Sequence, residues 1–393
     1  MGYNTWNAFS FNISEALIRE TAELLVSLGL RDAGYDYLCI DDGWALTQRV
    51  GNQPIAYNPQ LFPSGITALS NYVHAEGLRL GIYSDAGTGT CGGFTGSLGY
   101  EAIDALQFAA WGIDLLKYDN CHSPPPDKMT SQARYVAMRD ALNATGRPIV
   151  YCVCEWGSSL PWTYAQQVGN SWRTTQDIAP AWSHMLENLD SNVGLARFAG
   201  PGAWNDPDML EIGPQSHLSH DETAAHMALW AIMKAPLIIG ANLGALENAT
   251  LAILTAPEVI AINQDPLGIA GDLVWKQGPA EVYASLLAGG ARAVVLFNRH
   301  HAADPNYKTH LLTVCWASIG IPLGQPAIVR DLYLRTDLGN FTGSFSASVT
   351  VHGVRALKIT PLRPSPAGDA WRPWLSNAVF PLPCPMSTPA KST

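Results

Sequence analysis

The fold is constrained most by a repeated pattern in which an apolar segment ends abruptly in charged side chains. The clearest example is residues 113–119, where core-type residues lead to Lys117 and Asp119. Because the side chains of a strand alternate between its two faces, these residues, two positions apart, point to the same side. A single segment of this kind is typical of a surface ion pair. Its recurrence along the chain instead predicts parallel strands whose carboxyl ends carry the chemistry, as in (β/α)8 enzymes.

Strand-like and helix-like segments alternate up to about residue 265. The further predicted strands are residues 2–6, 34–42, 79–85, 148–155, 172–177, 203–206 and 236–240. Apolar residues at helical spacing predict helices at residues 14–28, 65–76, 100–110, 131–142 and 222–233. This alternation predicts an α/β fold, a (β/α)8 TIM barrel of parallel strands. The main alternative, an open doubly wound sheet, would need a glycine-rich phosphate-binding turn after the first strand, and the sequence has none there.

The chain after Gly268 has a different pattern. Short β-type runs separated by turn residues predict an antiparallel β-sandwich. These runs are residues 274–276, 281–286, 293–297, 310–314, 328–332 and 357–359. We therefore predict a catalytic barrel at residues 1–268, a C-terminal β-sandwich at residues 269–362 and a Pro-rich C-terminal extension at residues 363–393.

Composition excludes several functional classes. The 393 residues are 47% hydrophobic and only 14% charged, which is enough apolar material for a large core and argues against a disordered chain. The formal net charge of −10 argues against nucleic acid or an anionic membrane as the main partner. No apolar run reaches the length of a membrane span. The oligomeric state is left open.

The cysteines and glycosylation sequons favour a secreted glycoprotein. Seven cysteines are an odd number, so at least one has no partner within the chain. The pairing stays open for Cys152, Cys154, Cys315 and Cys384. No basic segment followed by an apolar one is visible, so we expect a signal peptide that has been removed or is not included. Four sequons support this expectation, at Asn12, Asn143, Asn248 and Asn340.

The polar ends of the predicted strands form the candidate site. They are Asp41, Asp42, Tyr83, Lys117, Asp119, Glu155, Arg173, Asp177 and Asp208. So many acids in one cavity lose hydration unless they are hydrogen-bonded, and a sugar supplies such partners. Two of the carboxyl groups could be held in opposite protonation states, as glycosidic cleavage requires. Clustered acids could also bind Mg²⁺ or Ca²⁺. We expect no metal, because Lys117 and Arg173 belong to the same set and no His lies at ligand spacing.

Several motifs in one order resemble the glycoside hydrolase family 27 α-galactosidases. The matching segments are residues 1–7, 37–44, 62–66, 81–85, 116–121, 154–156, 172–173, 200–210 and 262–268. The resemblance covers about residues 1–360. It implies a retaining exo-glycosidase that releases terminal α-D-galactosyl residues from oligosaccharides, galactomannans or galactoconjugates and uses no cofactor.

The resemblance also implies roles for individual residues. Asp119 corresponds to the nucleophile and Asp177 to the general acid/base, with carboxyl groups about 5–5.5 Å apart. Asp41 and Asp42 correspond to the pair that grips the O4 and O6 hydroxyls. The family's donors to the remaining hydroxyls match Lys117 and Arg173 of this sequence. The family's residues that form the wall of the sugar site match Trp6, Tyr83, Cys121, Trp156, Asp208 and Met209. Cys91 and Cys121 match a family disulfide beside the sugar.

Some positions carry other expectations. Bulky Glu155 and Trp156 should crowd position 2 of the sugar and favour galactose over N-acetylgalactosamine. Asp206 is expected to be structural, whereas Asp85 could either cap a loop or lie at the site. The sequence departs from the family at Phe11 and Gly43, where many relatives carry a disulfide, at Tyr3, which replaces a Trp, and at Gly169, where some relatives carry the partner of Cys154.

Four alternatives stay open at this point. Two are enzymes of the same fold, an α-N-acetylgalactosaminidase and a β-L-arabinopyranosidase. For the second, a change in the Asp41–Asp42 pair would be expected, and the pair is intact. A transglycosylase would share the covalent intermediate. A non-catalytic galactose-binding protein would need the grip residues but not both Asp119 and Asp177.

Overall fold

The computed structural model of the protein describes residues 1–300 and 308–363. The predicted extension, apart from Arg363, lies outside these residues together with Cys384. The chain divides into two compact units. The first comprises Met1–Ser191, Gly202–His217 and Pro236–Leu251, and the second comprises Asn192–Pro201, Leu218–Ala235 and the described residues from Ala252 onward. The predicted boundary at residue 268 stays a prediction, because the units divide the chain at several points.

The first unit is built around one sheet of eight parallel strands. In chain order they are β1 (Gly2–Asn4), β2 (Tyr37–Cys39), β3 (Arg79–Asp85), β4 (Leu115–Asp119), β5 (Val150–Val153), β6 (Ser171–Arg173), β7 (Trp204–Asp206) and β8 (Ile238–Ile239). Each strand from β1 to β7 lies beside the next one, and β8 lies beside β1. A parallel bridge between Leu210, which follows β7, and Ile239 closes the ring. The predicted TIM barrel is therefore confirmed.

The register of β3 and β4 brings their polar ends together. Tyr83 pairs with Lys117, and Asp85 pairs with Asp119. Upstream in the same strands, Leu80 and the other apolar residues are buried, so the charged residues begin where the core ends. Because all eight strands run in one direction, their carboxyl ends meet at one end of the barrel.

Nine α-helices lie in the described part of the chain. They are α1 (Trp6–Phe9), α2 (Glu15–Ser27), α3 (Ile66–Ala75), α4 (Glu101–Ala110), α5 (Ser131–Ala144), α6 (Trp182–Asn192), α7 (His220–Ile232), α8 (Asn248–Leu254) and α9 (Pro257–Asn263). Ser14 caps α2, where its hydroxyl accepts a hydrogen bond from the Leu17 amide at 3.2 Å. None of the described helices is long and apolar enough to cross a membrane.

The second unit contains a β-sandwich. Its strands are β9 (Asp272–Gln277), β10 (Ala280–Leu286), β11 (Arg292–Asn298), β12 (Thr309–Cys315), β13 (Pro326–Asp331), β14 (Thr336–Thr342), β15 (Ser344–Thr350) and β16 (Val354–Pro361). Six form a sheet in the order β14-β13-β16-β11-β10-β9, and β12 pairs with β15 in a second sheet. Val294 and Ile359 from the large sheet share one apolar core with Val314 and Phe345 from the small sheet. The predicted sandwich is confirmed, and β14 and β15 are strands that the sequence pattern does not indicate.

Candidate active site

The carboxyl end of the barrel holds a group of buried carboxylates. Asp41 and Asp42 follow β2, Asp119 ends β4, and Asp208 follows β7. The side chains of all four are buried. Burying a carboxylate is costly unless hydrogen bonds or opposite charges replace its water. The contacts of each acid therefore show how the sequence stabilises this cavity.

Asp119 is held by two hydrogen bonds. The Tyr83 hydroxyl donates to Asp119 Oδ2 at 2.9 Å, and the Asn120 amide donates to Oδ1 at 3.0 Å. Only 6% of Asp119 is exposed. Burial raises its pKa to about 6, while Lys117 and the Tyr83 hydrogen bond act in the opposite direction and Asp177 adds to the rise. Asp177 is therefore one of the charged groups that act on Asp119.

Lys117 forms an ion pair with Asp41 inside this cavity. Lys117 Nζ lies 2.7 Å from Asp41 Oδ2, which also accepts a hydrogen bond from Asn4 Nδ2 at 2.8 Å. Burial by itself would lower the pKa of Lys117, but Asp41 and Asp119 raise it well above its usual value. Lys117 is therefore a cation that offsets the charge of its acidic neighbours.

Asp42 is oriented by the loop after β3. Its Oδ2 accepts a hydrogen bond from the Gly92 amide at 2.8 Å, and its Oδ1 accepts one from the Gly43 amide at 2.8 Å. Burial raises the pKa of Asp42, and the hydrogen bonds oppose that rise. Two main-chain donors from different loops therefore fix the direction of this carboxylate.

Arg173 connects two acids of the predicted set. One guanidinium nitrogen, Nη2, lies 2.8 Å from Asp208 Oδ2 and 3.1 Å from Asp177 Oδ1. Burial would lower the pKa of Arg173, but the acids around it, Asp208 foremost, raise it. The Asp177 side chain is 66% exposed, in contrast to buried Asp119. The two predicted catalytic acids thus have different environments, one inside the cavity and one at its edge.

The predicted wall residues lie next to these acids. Cys91 and Cys121 form a disulfide, and Cys91 Sγ lies 3.5 Å from Asp119 Oδ2. Met209 directly follows Asp208 and is buried, and Trp6 is partly exposed at the start of α1. Trp156 and Asp208 both have positive φ, at +56° and +82°. Left-handed backbone at two non-glycine residues is a form of strain that concentrates at functional sites.

Glu155 has a partner in its own loop. Its carboxylate is fully buried and accepts hydrogen bonds from the Ser159 amide at 3.0 and 3.1 Å. Burial raises its pKa, and the Ser159 hydrogen bonds oppose the rise. This arrangement stabilises the turn that carries Trp156. A contact between Glu155 and a sugar stays a prediction.

Asp85 and Asp206 support neighbouring main chain. Asp85 Oδ1 accepts from the Gly87 amide at 2.7 Å, and its Oδ2 accepts from the Cys121 amide at 2.9 Å. Burial raises its pKa to about 8. Asp206 Oδ1 accepts from the Asp208 amide at 2.9 Å, at the turn where Asp208 has positive φ. Both contacts agree with the loop-capping and structural roles considered from the sequence.

The structure adds three residues to the site region. Asn4 donates to Asp41, and Asn7 Nδ2 donates to Glu211 Oε2 across a separation of 204 residues. Burial raises the pKa of Glu211 to about 7. Asn7 lies within the matched segment 1–7, and Glu211 directly follows the matched segment 200–210, which is the signal that could have identified them.

One group of possible metal ligands lies in this region. Asp85, Cys91 and Cys121 offer ligand atoms within 4.8 Å of one another. Two of these three atoms are the sulfurs of the disulfide, so they cannot act as thiolate ligands in the oxidised protein.

Comparisons with known proteins identify the family of this chain. Residues 6–265 match the family model described as Alpha galactosidase A, and residues 277–359 match the Alpha galactosidase C-terminal beta sandwich domain. The chain is 45% identical to a probable alpha-galactosidase of Dictyostelium discoideum, with 92% of each chain covered. It is 46% identical to Alpha-galactosidase 3 of Arabidopsis thaliana, with 92% of this chain and 81% of the relative covered.

Solved structures give the same result. Alpha-galactosidase I from Mortierella vinacea superposes with a TM-score of 0.84 at 36% identity, covering 91% of this chain and 96% of that one. An α-galactosidase from Saccharomyces cerevisiae with raffinose superposes with a TM-score of 0.83 at 28% identity, covering 92% and 97%. With a family model over residues 6–265 and relatives above 40% identity over 92% of this chain, the chain belongs to the glycoside hydrolase family 27 α-galactosidases.

Proposed function

We propose that this protein hydrolyses terminal α-D-galactosyl residues by double displacement, with Asp119 as nucleophile and Asp177 as general acid/base. The observation that carries this proposal is the contrast between the environments of these two carboxyl groups. Asp119 is buried and oriented by the Tyr83 hydroxyl, whereas Asp177 is largely exposed and held by Arg173. A nucleophile must be fixed under the sugar, and an acid/base must reach both the leaving group and water.

The proposed reaction has two steps. In the first, an Asp119 oxygen attacks the anomeric carbon while protonated Asp177 transfers its proton to the glycosidic oxygen, which leaves as the alcohol of the aglycone. In the second, Asp177 takes a proton from water, the water oxygen attacks the anomeric carbon, and the ester bond to Asp119 breaks. Two inversions at one carbon retain the α configuration.

The remaining polar groups suit recognition of galactose. Asp41 and Asp42 offer buried acceptors of fixed direction for O4 and O6, and Lys117 and Arg173 offer charged donors. Charge-assisted hydrogen bonds of this kind are strong and directional in a cavity that excludes water. We infer that this set binds the terminal galactosyl ring and leaves the aglycone outside.

Substitution of the two acids tests the assigned roles. Asp119→Ala should abolish turnover of nitrophenyl α-galactoside while galactose affinity stays measurable by calorimetry. With α-galactosyl fluoride and added azide, Asp119→Ala should form the β-azide, since azide replaces the missing carboxylate. Asp177→Ala should form the α-azide, because the galactosyl ester still forms and azide then displaces Asp119. Unchanged turnover in Asp119→Ala, or exchanged azide products, would overturn the assignment.

Substrate preference separates this function from its nearest alternatives. Nitrophenyl α-galactoside should be turned over faster than the corresponding N-acetylgalactosaminide, because we expect bulky Glu155 and Trp156 to crowd position 2 of the sugar. Nitrophenyl β-L-arabinopyranoside should also be slower, because it lacks the C6 group for the Asp41–Asp42 pair. NMR of melibiose hydrolysis should show α-galactose first. Analysis of the products formed at a high concentration of acceptor sugar measures which fraction of the galactosyl groups is transferred to the acceptor and not to water.

We further propose that the protein is a secreted glycoprotein with glycans on its four sequons. Asn12, Asn143, Asn248 and Asn340 are all exposed. A disulfide is also typical of proteins that fold in oxidising compartments. Mass spectrometry of the protein from its native source, before and after glycan removal, tests each of the four sites.

A further inference from the structure

The ring of barrel strands has its shortest member at β8, which has only the two residues Ile238–Ile239. This strand pairs with β1 on one side and with Leu210, after β7, on the other. Two predicted wall residues of the sugar site lie close to these neighbours: Trp6 comes two residues after β1, and Met209 comes directly before Leu210. Their spacing is therefore set across the part of the ring that has the shortest strand.

The helix that carries Trp6 cannot fix its own direction. α1 has four residues, and a helix of one turn is not stable by itself. It is held at its start, where the Trp6 amide donates to Asn4 Oδ1 at 2.8 Å and Asn4 Nδ2 donates to Asp41 Oδ2 at 2.8 Å. One fixed point leaves the turn free to pivot, so a second contact is needed to hold Trp6 in one place.

Asn7, the next residue of α1, makes such a contact. Asn7 Nδ2 donates a hydrogen bond to Glu211 Oε2 in the segment after β7. The Asn7 side chain also lies against Gly240, directly after β8, where an added Cβ atom would lie 3.1 Å from both Asn7 Cβ and Asn7 Nδ2. The hydrogen bond therefore passes the end of β8 and joins the turn after β1 to the segment after β7.

Glu211 is a firm anchor for this bond. It is only 3% exposed, and a buried carboxyl group needs hydrogen-bonding partners. The three residues before it are each tied through the main chain. The Asp208 amide donates to Asp206 Oδ1 at 2.9 Å, the Met209 amide donates to Asp208 Oδ1 at 2.8 Å, and the Leu210 amide bonds to β8. The position of Glu211 is thereby linked to that of Met209.

We propose that Asn7 and Glu211 are a positioning pair, which sets the spacing of Trp6 and Met209 in the galactosyl site without itself contacting the sugar. This inference rests on the proposed galactosidase function and identifies residues that shape its binding site. Wall residues contact the sugar ring both in the bound substrate and in the transition state. Loss of the pair should therefore weaken binding and leave the chemical step nearly unchanged.

The test measures KM and kcat for nitrophenyl α-galactoside together with the inhibition constant of galactose. In Asn7→Ala and in Glu211→Ala, KM and the inhibition constant should each rise by about threefold to tenfold, the effect of one lost hydrogen bond, while kcat stays within about twofold. The double variant should lose little more than either single variant, because both changes remove the same bond.

Two kinds of failure are distinguishable. Wild-type values of KM and of the inhibition constant in both single variants, or losses that simply add in the double variant, would overturn the positioning pair. A wild-type protein that does not hydrolyse the galactoside would contradict the proposed function itself.

An exchange of donor and acceptor separates positioning from general stability. In Asn7→Asp/Glu211→Gln the shapes are kept and the glutamine amide can donate to the aspartate, so KM should return to within about twofold of the wild-type value. As a matched control, Asn298→Ala removes a buried donor to the Val349 carbonyl in the sandwich. The control should lower Tm and leave KM and the inhibition constant unchanged. A KM in the exchange variant as high as in Asn7→Ala would overturn the proposal.

Discussion

At the scale of single residues, Tyr83 in β3 orients the predicted nucleophile, Asp119, at the end of the neighbouring strand β4. Its hydroxyl donates to Asp119 Oδ2 at 2.9 Å, and Lys117 Nζ lies 5.4 Å from the centre of its ring. Burial raises the pKa of Asp119 to about 6, and the Tyr83 hydrogen bond moderates the rise. This contact keeps the carboxylate ionised over a wider pH range than its burial alone would allow.

Tyr83→Phe should therefore move the acidic limb of the pH profile. Loss of a hydrogen bond to a charged group is worth about 1.5 kcal/mol or more, so the apparent pKa of that limb should rise by about one. The measurement is kcat/KM for nitrophenyl α-galactoside between about pH 3 and 8. Tyr37→Phe is the matched control, because the Tyr37 hydroxyl accepts a hydrogen bond from Arg79 in the opposite part of the strands. An unmoved limb in Tyr83→Phe would contradict this reading.

At the scale of elements, the loop after β3 is held by several contacts at once. The disulfide joins Cys91 in this loop to Cys121 after β4, and the neighbouring Gly92 amide donates to Asp42. Asp85 accepts hydrogen bonds from both Gly87 and Cys121. The loop thus couples the ends of β2, β3 and β4, which carry the predicted nucleophile and the predicted sugar grip.

Replacing both Cys91 and Cys121 by serine should weaken the fold and the site together. The disulfide closes a separation of 30 residues, for which the chain-entropy model gives about 3–4 kcal/mol of stabilisation. We expect a loss of this order in urea unfolding, with weaker galactose inhibition because Gly92 no longer holds Asp42. Cys315→Ser, which removes a free thiol in β12, should change neither quantity. Full stability of the double variant would show that the loop is ordered without the bond.

At the scale of the whole molecule, buried carboxyl groups make the stability depend on pH. Burial raises the pKa of Glu211 to about 7, above its value in an unfolded chain. The folded protein therefore binds this proton more tightly than the unfolded chain does. The stabilisation is complete below the unfolded pKa and is lost as the pH rises through the folded pKa. Asp85, with a pKa raised to about 8, acts in the same direction.

Glu211→Gln isolates this contribution from that of other titrating groups. Glutamine keeps an acceptor for Asn7 Nδ2 but carries no charge. Between about pH 5 and 8 the variant should gain stability relative to the wild type, by up to about 3 kcal/mol. Calorimetric Tm values of both proteins at matched pH give the difference. Exposed Glu187→Gln on α6 is the control and should show a constant difference, whereas a constant difference for Glu211→Gln would contradict the prediction.

The sequence predicts the barrel well because apolar strands with charged ends are local signals. The two-residue spacing of Lys117 and Asp119 reflects strand geometry directly, and the register with β3 follows from parallel pairing. In the sandwich, β14 and β15 lack such a signal, since β14 is largely exposed and β15 is rich in serine. Their pairing with β13 and β12 decides their structure.

Some other features have no signal in the local sequence, whereas one helix has a signal that the sequence analysis does not use. The Asn7–Glu211 contact joins residues 204 positions apart, and no local pattern encodes it. The shortest helices, α1, α8 and α9, have at most seven residues, too few for a periodic pattern. By contrast, α6 carries Trp182, Met185 and Leu189 at helical spacing, so its sequence did contain the signal.

The ring of strands closes through one short parallel bridge, between Leu210 and Ile239. Leu210 joins β8 to the segment after β7 by two main-chain hydrogen bonds. The Leu210 amide donates to the Ile238 carbonyl at 2.8 Å, and the Gly240 amide donates to the Leu210 carbonyl at 3.1 Å. Local opening needs few bonds to break there, so these two amides should take up deuterium sooner than that of Ile82 in the middle of β3. Each such opening would move Met209, which directly precedes Leu210, while the strands on the opposite side of the ring stay paired.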